Sequence, residues 1–324
     1  MDIIDATVRL YRRHFGTFLG VSAVLLIPFT VTYTVGEFHL LLAFQPVLTQ
    51  SVTPVGFQPA LEPTLIGVVG VTVALLIAWV FGPLTQGALA IAISESYLGR
   101  TIGVREAFRR ARPYWGSLFL VAIAFGLIVM VGPLAGMLLG GVAGVPVGIY
   151  ASPETGLLVG LLVGGLGLCA GMVLAVVLAV RFFLYDTVMV LEGVRGIDSM
   201  QRARALVTGY GWHAFGVMFL AGLAVWLVTM IGSAPVSVAA TVVLMSGHQD
   251  LYIQMQLLSQ CTQQIFGVLL GPVTMIAQTL LYYDLRIKRE GFDLQQMAEA
   301  IRKGREDEAQ ETGTATAGEG DAGR

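Results

Sequence analysis

Four acidic residues stand where apolar stretches of this 324-residue chain run out, Glu95, Asp186, Glu192 and Asp284, with Arg181 slightly deeper. Ionisable groups in or near hydrocarbon are costly, about 2.5–3.5 kcal/mol for Arg or Asp at a helix centre on insertion scales, so they persist where they pair or act. Carboxylates gathered at one level offer a site for protons or headgroups, or an ion-pair network that locks helix ends together. Arg181 requires a partner. Asp186, five residues on, sits about 140° away around a helix, so Glu95 or Asp284 on another helix serves equally well. Thr85, Gln86, Thr274 and Gln278 form a deeper polar set, able to join helices through amide bonds or to line a polar path.

Other chemistry is poorly provided for. His14, His39, His213 and His248 are scattered and lack the HExxH spacing of a metal-binding helix, so no metal site and no cofactor are expected. Two cysteines make no disulfide framework, and Cys169 and Cys261 belong to different depths. No GxSxG elbow occurs, and no glycine run ends in GK[ST].

The elements that must carry these residues follow from composition. The chain is 56% hydrophobic and 12% charged, where soluble proteins are about 25% charged, so its surface cannot be covered for water. An all-α membrane protein is expected, without nucleic acid as a partner. Six stretches reach the 20 or so apolar residues that cross about 30 Å of hydrocarbon, at about 17–36, 65–93, 116–144, 156–180 with a continuation to 191, 214–245 and 266–283. All 19 Lys and Arg fall before the first span, between spans two and three, in or after span four, and in the tail. Basic loops resist translocation, so both termini are expected in the cytoplasm and the protein in a bacterial or archaeal cell membrane. The membrane domain is expected over 1–303, and the polar tail 304–324 has nothing apolar to bury and reads as disordered. No cleavable secretory signal is expected, because a charged amphipathic segment precedes the first span.

The chain also echoes itself about every hundred residues, over approximately 1–99, 100–194 and 195–294. Asp5 precedes Arg9, Glu106 precedes Arg110 and Asp198 precedes Arg202 by one helical turn, and each segment ends in an aromatic residue and a glycine that open a span. The repeating unit is expected to be an amphipathic helix in the headgroup plane, a span, an outer loop and a second span. Arg9, Arg12, Arg13, Arg105, Arg109, Arg112, Arg202 and Arg204 would then face anionic lipid phosphates. Gly82-Pro83 and Gly271-Pro272 each precede an acid, Glu95 and Asp284, by the same interval. Gly132, Gly136, Gly140, Gly144 and Gly148, then Gly156, Gly160 and Gly164, recur every fourth residue on either side of a turn at Ser152 and Pro153. Such ladders let helices pack backbone to backbone, so spans three and four are expected to form a tight pair.

The stretch EGVRGIDSMQRARALVTGYGWHAFG from Glu192 and the stretch YYDLRIKREGFDL from Tyr282 resemble recurrent features of the glycerophosphoryl diester phosphodiesterase membrane-domain family of prokaryotes. Glu192, Arg202, Leu206, Gly209, Trp212, Phe215 and Gly216 carry the first match, Tyr283, Asp284, Leu285 and Arg286 the second, and Leu10, Tyr11, Arg12 and Phe15 fit the N-terminal part. The family pattern has Pro where Asp186 stands, and six spans leave no room for a phosphodiesterase barrel. The resemblance implies a membrane fold without hydrolase activity. The function expected is non-enzymatic, lipid-interacting or transport-related, with membrane lipids as partners. Alternatives are an accessory subunit for a membrane or cytoplasmic protein, and a lipid-modifying enzyme using Glu95, Asp186 or Asp284 as acid or base.

Overall fold

An apolar segment in hydrocarbon satisfies its backbone within itself only as a helix. The computed structural model is helical almost throughout the residues it describes, 3–48, 60–246 and 249–291, with no strand among them. The helices are α1 (Ile3–Arg13), α2 (Phe15–Leu48), α3 (Leu61–Tyr97), α4 (Val104–Ala111), α5 (Trp115–Tyr150), α6 (Pro153–Phe182), α7 (Tyr185–Glu192), α8 (Ile197–Val207), α9 (Gly211–Met245) and α10 (Gln249–Glu290). Six stretches are long and apolar enough to cross a membrane, which makes this a multi-pass membrane protein. By its contacts the chain divides into Met1–Leu281 and Tyr282–Arg324, with the division inside α10. Asp2, His248, the segment 49–59 and the tail 304–324 lie outside the described residues.

Three expected boundaries are corrected. The first span does not end near Gly36; α2 continues to Leu48, which makes Glu37 a helical residue. The fourth is broken at Phe183 and Leu184, and what reads as an apolar continuation is a separate helix, α7. The sixth begins at Gln249, not Phe266. Its glutamine-rich first half is amphipathic, too polar to read as a span, and its polar side finds partners: Gln260 donates to Glu37 at 2.7 Å, and the Ser259 and Ser237 hydroxyls lie 2.7 Å apart.

Side-chain burial concentrates at the arginine-rich end. Leu184 to Val190 is buried without interruption, making α7 a pillar, and the buried stretch 87–94 of α3 and the mostly buried stretch 275–281 of α10 lie at the same end. The α5–α6 contact is of another kind. A Cβ added to Gly132 would lie 2.6 Å from the Gly171 carbonyl oxygen, at Gly136 2.2 Å from the Gly167 carbonyl carbon, at Gly140 2.5 Å from Gly164 Cα, at Gly144 2.7 Å from Gly160 Cα, and at Gly156 2.3 Å from Gly148 Cα. A side chain at any of these five positions along the antiparallel contact would be driven into backbone, while at Gly160 and Gly164 an added Cβ would come no closer than 3.2 Å. Gly167 and Gly171 extend it beyond the ladder read from the sequence. A shorter contact of the same type joins α2 to α3, where a Cβ at Gly36 would meet the Val71 nitrogen at 2.6 Å.

Candidate functional site

The four acids expected to form one mouth take different partners. Glu95, near the end of α3, accepts from Arg110 of α4 at 2.9 Å and lies 3.6 Å from Arg100. Glu192, closing α7, takes Arg202 of α8 at 2.8 Å. Asp284 pairs along its own helix with Lys288 at 2.7 Å. Arg181 pairs with none of the four. The Glu95 and Glu192 contacts hold helix ends to neighbouring helices, as an ion-pair network does.

Asp186 stands apart. The break after Phe182 restarts the helix at Tyr185 and places Asp186 in the first turn of α7, where it is only 4% exposed. Its Oδ1 accepts from the Gln278 side-chain amide of α10 at 2.6 Å, from the Thr187 backbone N–H at 2.7 Å and from the Thr187 hydroxyl at 3.3 Å. Gln278 also donates to the Phe183 carbonyl at 3.1 Å, which bridges the helix break. All of these donors are neutral, and no cation pairs with Asp186 among the described residues. A buried carboxylate without a counter-charge carries a desolvation cost that neutral hydrogen bonds only partly offset.

Asp186 forms part of the wall of a cavity of about 430 Å³. The deeper polar set comes to the same place: Thr85 and Gln86 from α3 and Thr274 and Gln278 from α10 line it, with Ser22 of α2, Tyr185 of α7, Phe125 of α5 and Met218 of α9. All six spanning stretches contribute. Of the residues expected at the mouth only Asp186 joins the deeper polar set; Glu95, Glu192, Asp284 and Arg181 are absent from the lining. Ser22 and Tyr185 are not singled out by the sequence; the one signal for Ser22 is a hydroxyl within an otherwise apolar turn. No group of three or more His, Cys, Asp and Glu suited to a metal ion occurs among the described residues.

Gly82 and Gly271 also line the cavity, each followed by a proline. Proline lacks an N–H and pushes the preceding turn open, leaving carbonyls short of donors. Aromatic residues bond within that turn, one carbonyl on from the one that the missing N–H frees. The Trp115 indole donates to the Val80 carbonyl at 2.9 Å and stacks on Phe81, and the Tyr11 hydroxyl donates to the Leu269 carbonyl. Each acceptor lies three residues before its proline. Burial pushes the Tyr11 hydroxyl above its usual pKa.

The arginine collar is divided. Arg9 pairs with Asp5 at 3.0 Å, Arg109 with Glu106 at 2.6 Å and Arg202 with Glu192. The expected Asp198–Arg202 pair is replaced by that last contact, because α7 ends beside α8 and offers Arg202 a less exposed acid; Asp198 stays in the first turn of α8, where a negative charge suits the helix dipole. Arg12, Arg13, Arg105, Arg112 and Arg204 are exposed and have no acidic partner among the described residues. Arg195 lies over the Tyr114 ring at 5.3 Å.

No family model, curated protein or solved structure matches the chain.

Proposed function

We propose that this is a non-enzymatic, transport-related membrane protein whose central cavity takes a small organic cation, with Asp186 as the counter-charge. The observation that carries this reading is a buried carboxylate on the wall of a 430 Å³ cavity, held by neutral donors and lacking a cation among the described residues. Intramembrane acids are retained where they pair or act, and this one has no ionic pair of its own. Hydroxyls and amides from α2, α3, α7 and α10 surround it, in keeping with an ammonium group that needs several oxygen acceptors.

A polar seam beyond the cavity supports movement rather than storage. On α2 the Thr30 and Thr34 hydroxyls and the Glu37 Oε2 are buried without a partner among the described residues, and the other Glu37 oxygen takes Gln260 of α10. Gln260 and Gln278 are separated by roughly 27 Å of helix at 1.5 Å per residue, close to the thickness of a hydrocarbon core. Unpartnered oxygens along such a seam call for water or a passing donor. In this reading the arginine-rich end and both termini face the cytoplasm, the unpaired collar arginines rest among lipid headgroups, and three related units, each an amphipathic helix and two spans, surround the cavity. Placement in the glycerophosphoryl diester phosphodiesterase membrane-domain family rests on the residue matches given above.

The test is uptake by proteoliposomes challenged with small primary and quaternary ammonium compounds, with acetate and glucose as anionic and neutral controls. Asp186→Asn is expected to abolish uptake of the cations while melting at the temperature of the parent protein. Retained uptake in that variant, or uptake of acetate in preference to any cation, refutes the reading.

A further inference from the structure

Two arginines near the α6–α9 boundary have side chains with no ionic or hydrogen-bonding partner among the described residues. Arg181 is in the last turn of α6 and Arg204 in the last turn of α8, and both side chains are exposed. They line one pocket of about 220 Å³ together with Val207, Thr208, Gly209 and Gly211, the turn that leads into α9. Gly209 holds φ +89°, a conformation that leaves no side chain over the pocket at that corner. Arg181, Gly209 and Gly211 also line an apolar groove of about 640 Å³, which continues along Met172, Val173, Val176 and Val177 of α6 and Trp212 and Phe215 of α9. Pocket and groove therefore form one continuous surface, charged at one end and apolar along its length.

The corresponding corners elsewhere are closed. At the start of α5, Trp115 bonds to α3 and stacks on it, and ahead of α2, Tyr11 bonds to α10. Trp212, at the start of α9, makes no such bond to α6 among the described residues, and it is 86% exposed. The neighbouring α6 lacks the Gly-Pro pair that creates a waiting carbonyl in α3 and α10. The groove is open because the aromatic residue that should fill it has nothing to bond.

We propose that the α6–α9 groove binds an anionic phospholipid, its phosphate between Arg181 and Arg204 and an acyl chain along Val173 and Val177. Charge complementarity selects the headgroup: two guanidinium forks without carboxylates match phosphate oxygens, which they bind through charge-assisted hydrogen bonds. The groove selects lipid over free phosphate, since Met172 and Val173 are 55% and 66% exposed and extend away from the arginines into the apolar zone. This site stands independently of the Asp186 cavity, with which it shares no lining residue.

Native mass spectrometry of the full chain in neutral detergent tests it, with phosphatidylglycerol and phosphatidylcholine of identical chains. The parent protein is expected to retain phosphatidylglycerol selectively, and the double variant R181Q/R204Q to lose about tenfold or more in that preference. R100Q, which neutralises an exposed arginine outside the groove, the pocket and the proposed lipid contacts, is expected to retain it. Val173→Trp fills the groove while leaving both arginines, and is expected to weaken phosphatidylglycerol binding; excess inorganic phosphate is expected to leave bound lipid in place. Equal loss in R100Q, no loss in R181Q/R204Q, no effect of Val173→Trp, or displacement by phosphate overturns the proposal. If the double variant does not fold, R204Q alone, at an exposed position on α8, is expected to lower the same preference, and an unchanged preference there overturns the proposal as well.

Discussion

The α5–α6 contact and the Asp186 cavity are two answers to the same packing problem. Between α5 and α6 side chains are deleted until backbone meets backbone. Around Asp186, all six spanning stretches meet and leave about 430 Å³ unfilled, with hydroxyls and amides on the wall. Hydrocarbon gives helices no hydrophobic reason to associate, so close backbone contact supplies the cohesion. An unfilled polar space supplies none and costs stability. The contrast separates the part of the molecule that holds it together from a part whose presence packing alone does not explain.

The largest effect is expected where there is no space. Gly136→Leu places carbon against the Gly167 backbone at 2.2 Å, and overpacking costs about 1–3 kcal/mol, more where the neighbour is unyielding backbone. Monodisperse protein should be lost on size-exclusion chromatography. Gly141→Ala, on the same helix with nothing within 4 Å, should elute and melt as the parent does; if both variants behave alike, the contact is not what holds α5 to α6. A smaller effect is expected at the cavity wall. Gln278→Leu removes the amide that joins Asp186 to the Phe183 carbonyl, and loss of a donor to a buried carboxylate costs about 1–3 kcal/mol. Thermal melting should fall, whereas Asp186→Asn, which removes the charge itself, should not fall with it. The smallest effect is expected at the rim. Glu95→Gln weakens a pair whose Arg110 side chain is half exposed, so a slight drop in melting temperature that vanishes in high salt is expected, with cation uptake unchanged. A loss of uptake there would move the site from Asp186 to the rim.

The sequence displays the apolar stretches and the glycine spacing openly, because hydropathy and a four-residue period depend on one helix at a time. Gly132 to Gly164 could be read this way; Gly167 and Gly171 break the spacing and become visible only against their partners across the contact. The cavity is harder to foresee. Asp186 and Gln278 are both conspicuous, yet their meeting depends on the interruption at Phe183 and Leu184, which redirects the chain and leaves no strong local mark. Similarly, Arg202 has an acid one turn away in Asp198 and takes Glu192 instead, because the turn between α7 and α8 brings the latter close. Depth along a span is written in hydropathy; rotation and neighbour are set by packing between helices.

Only Ala151 and Ser152 separate α5 from α6, and between Trp115 and Val180 the one charged residue is Glu154. During synthesis these two helices can therefore insert as a pair, zipped along their glycines, with a single carboxylate between them. Assembly would then have one finished pair of helices against which the more polar helices, and with them the empty space, can settle.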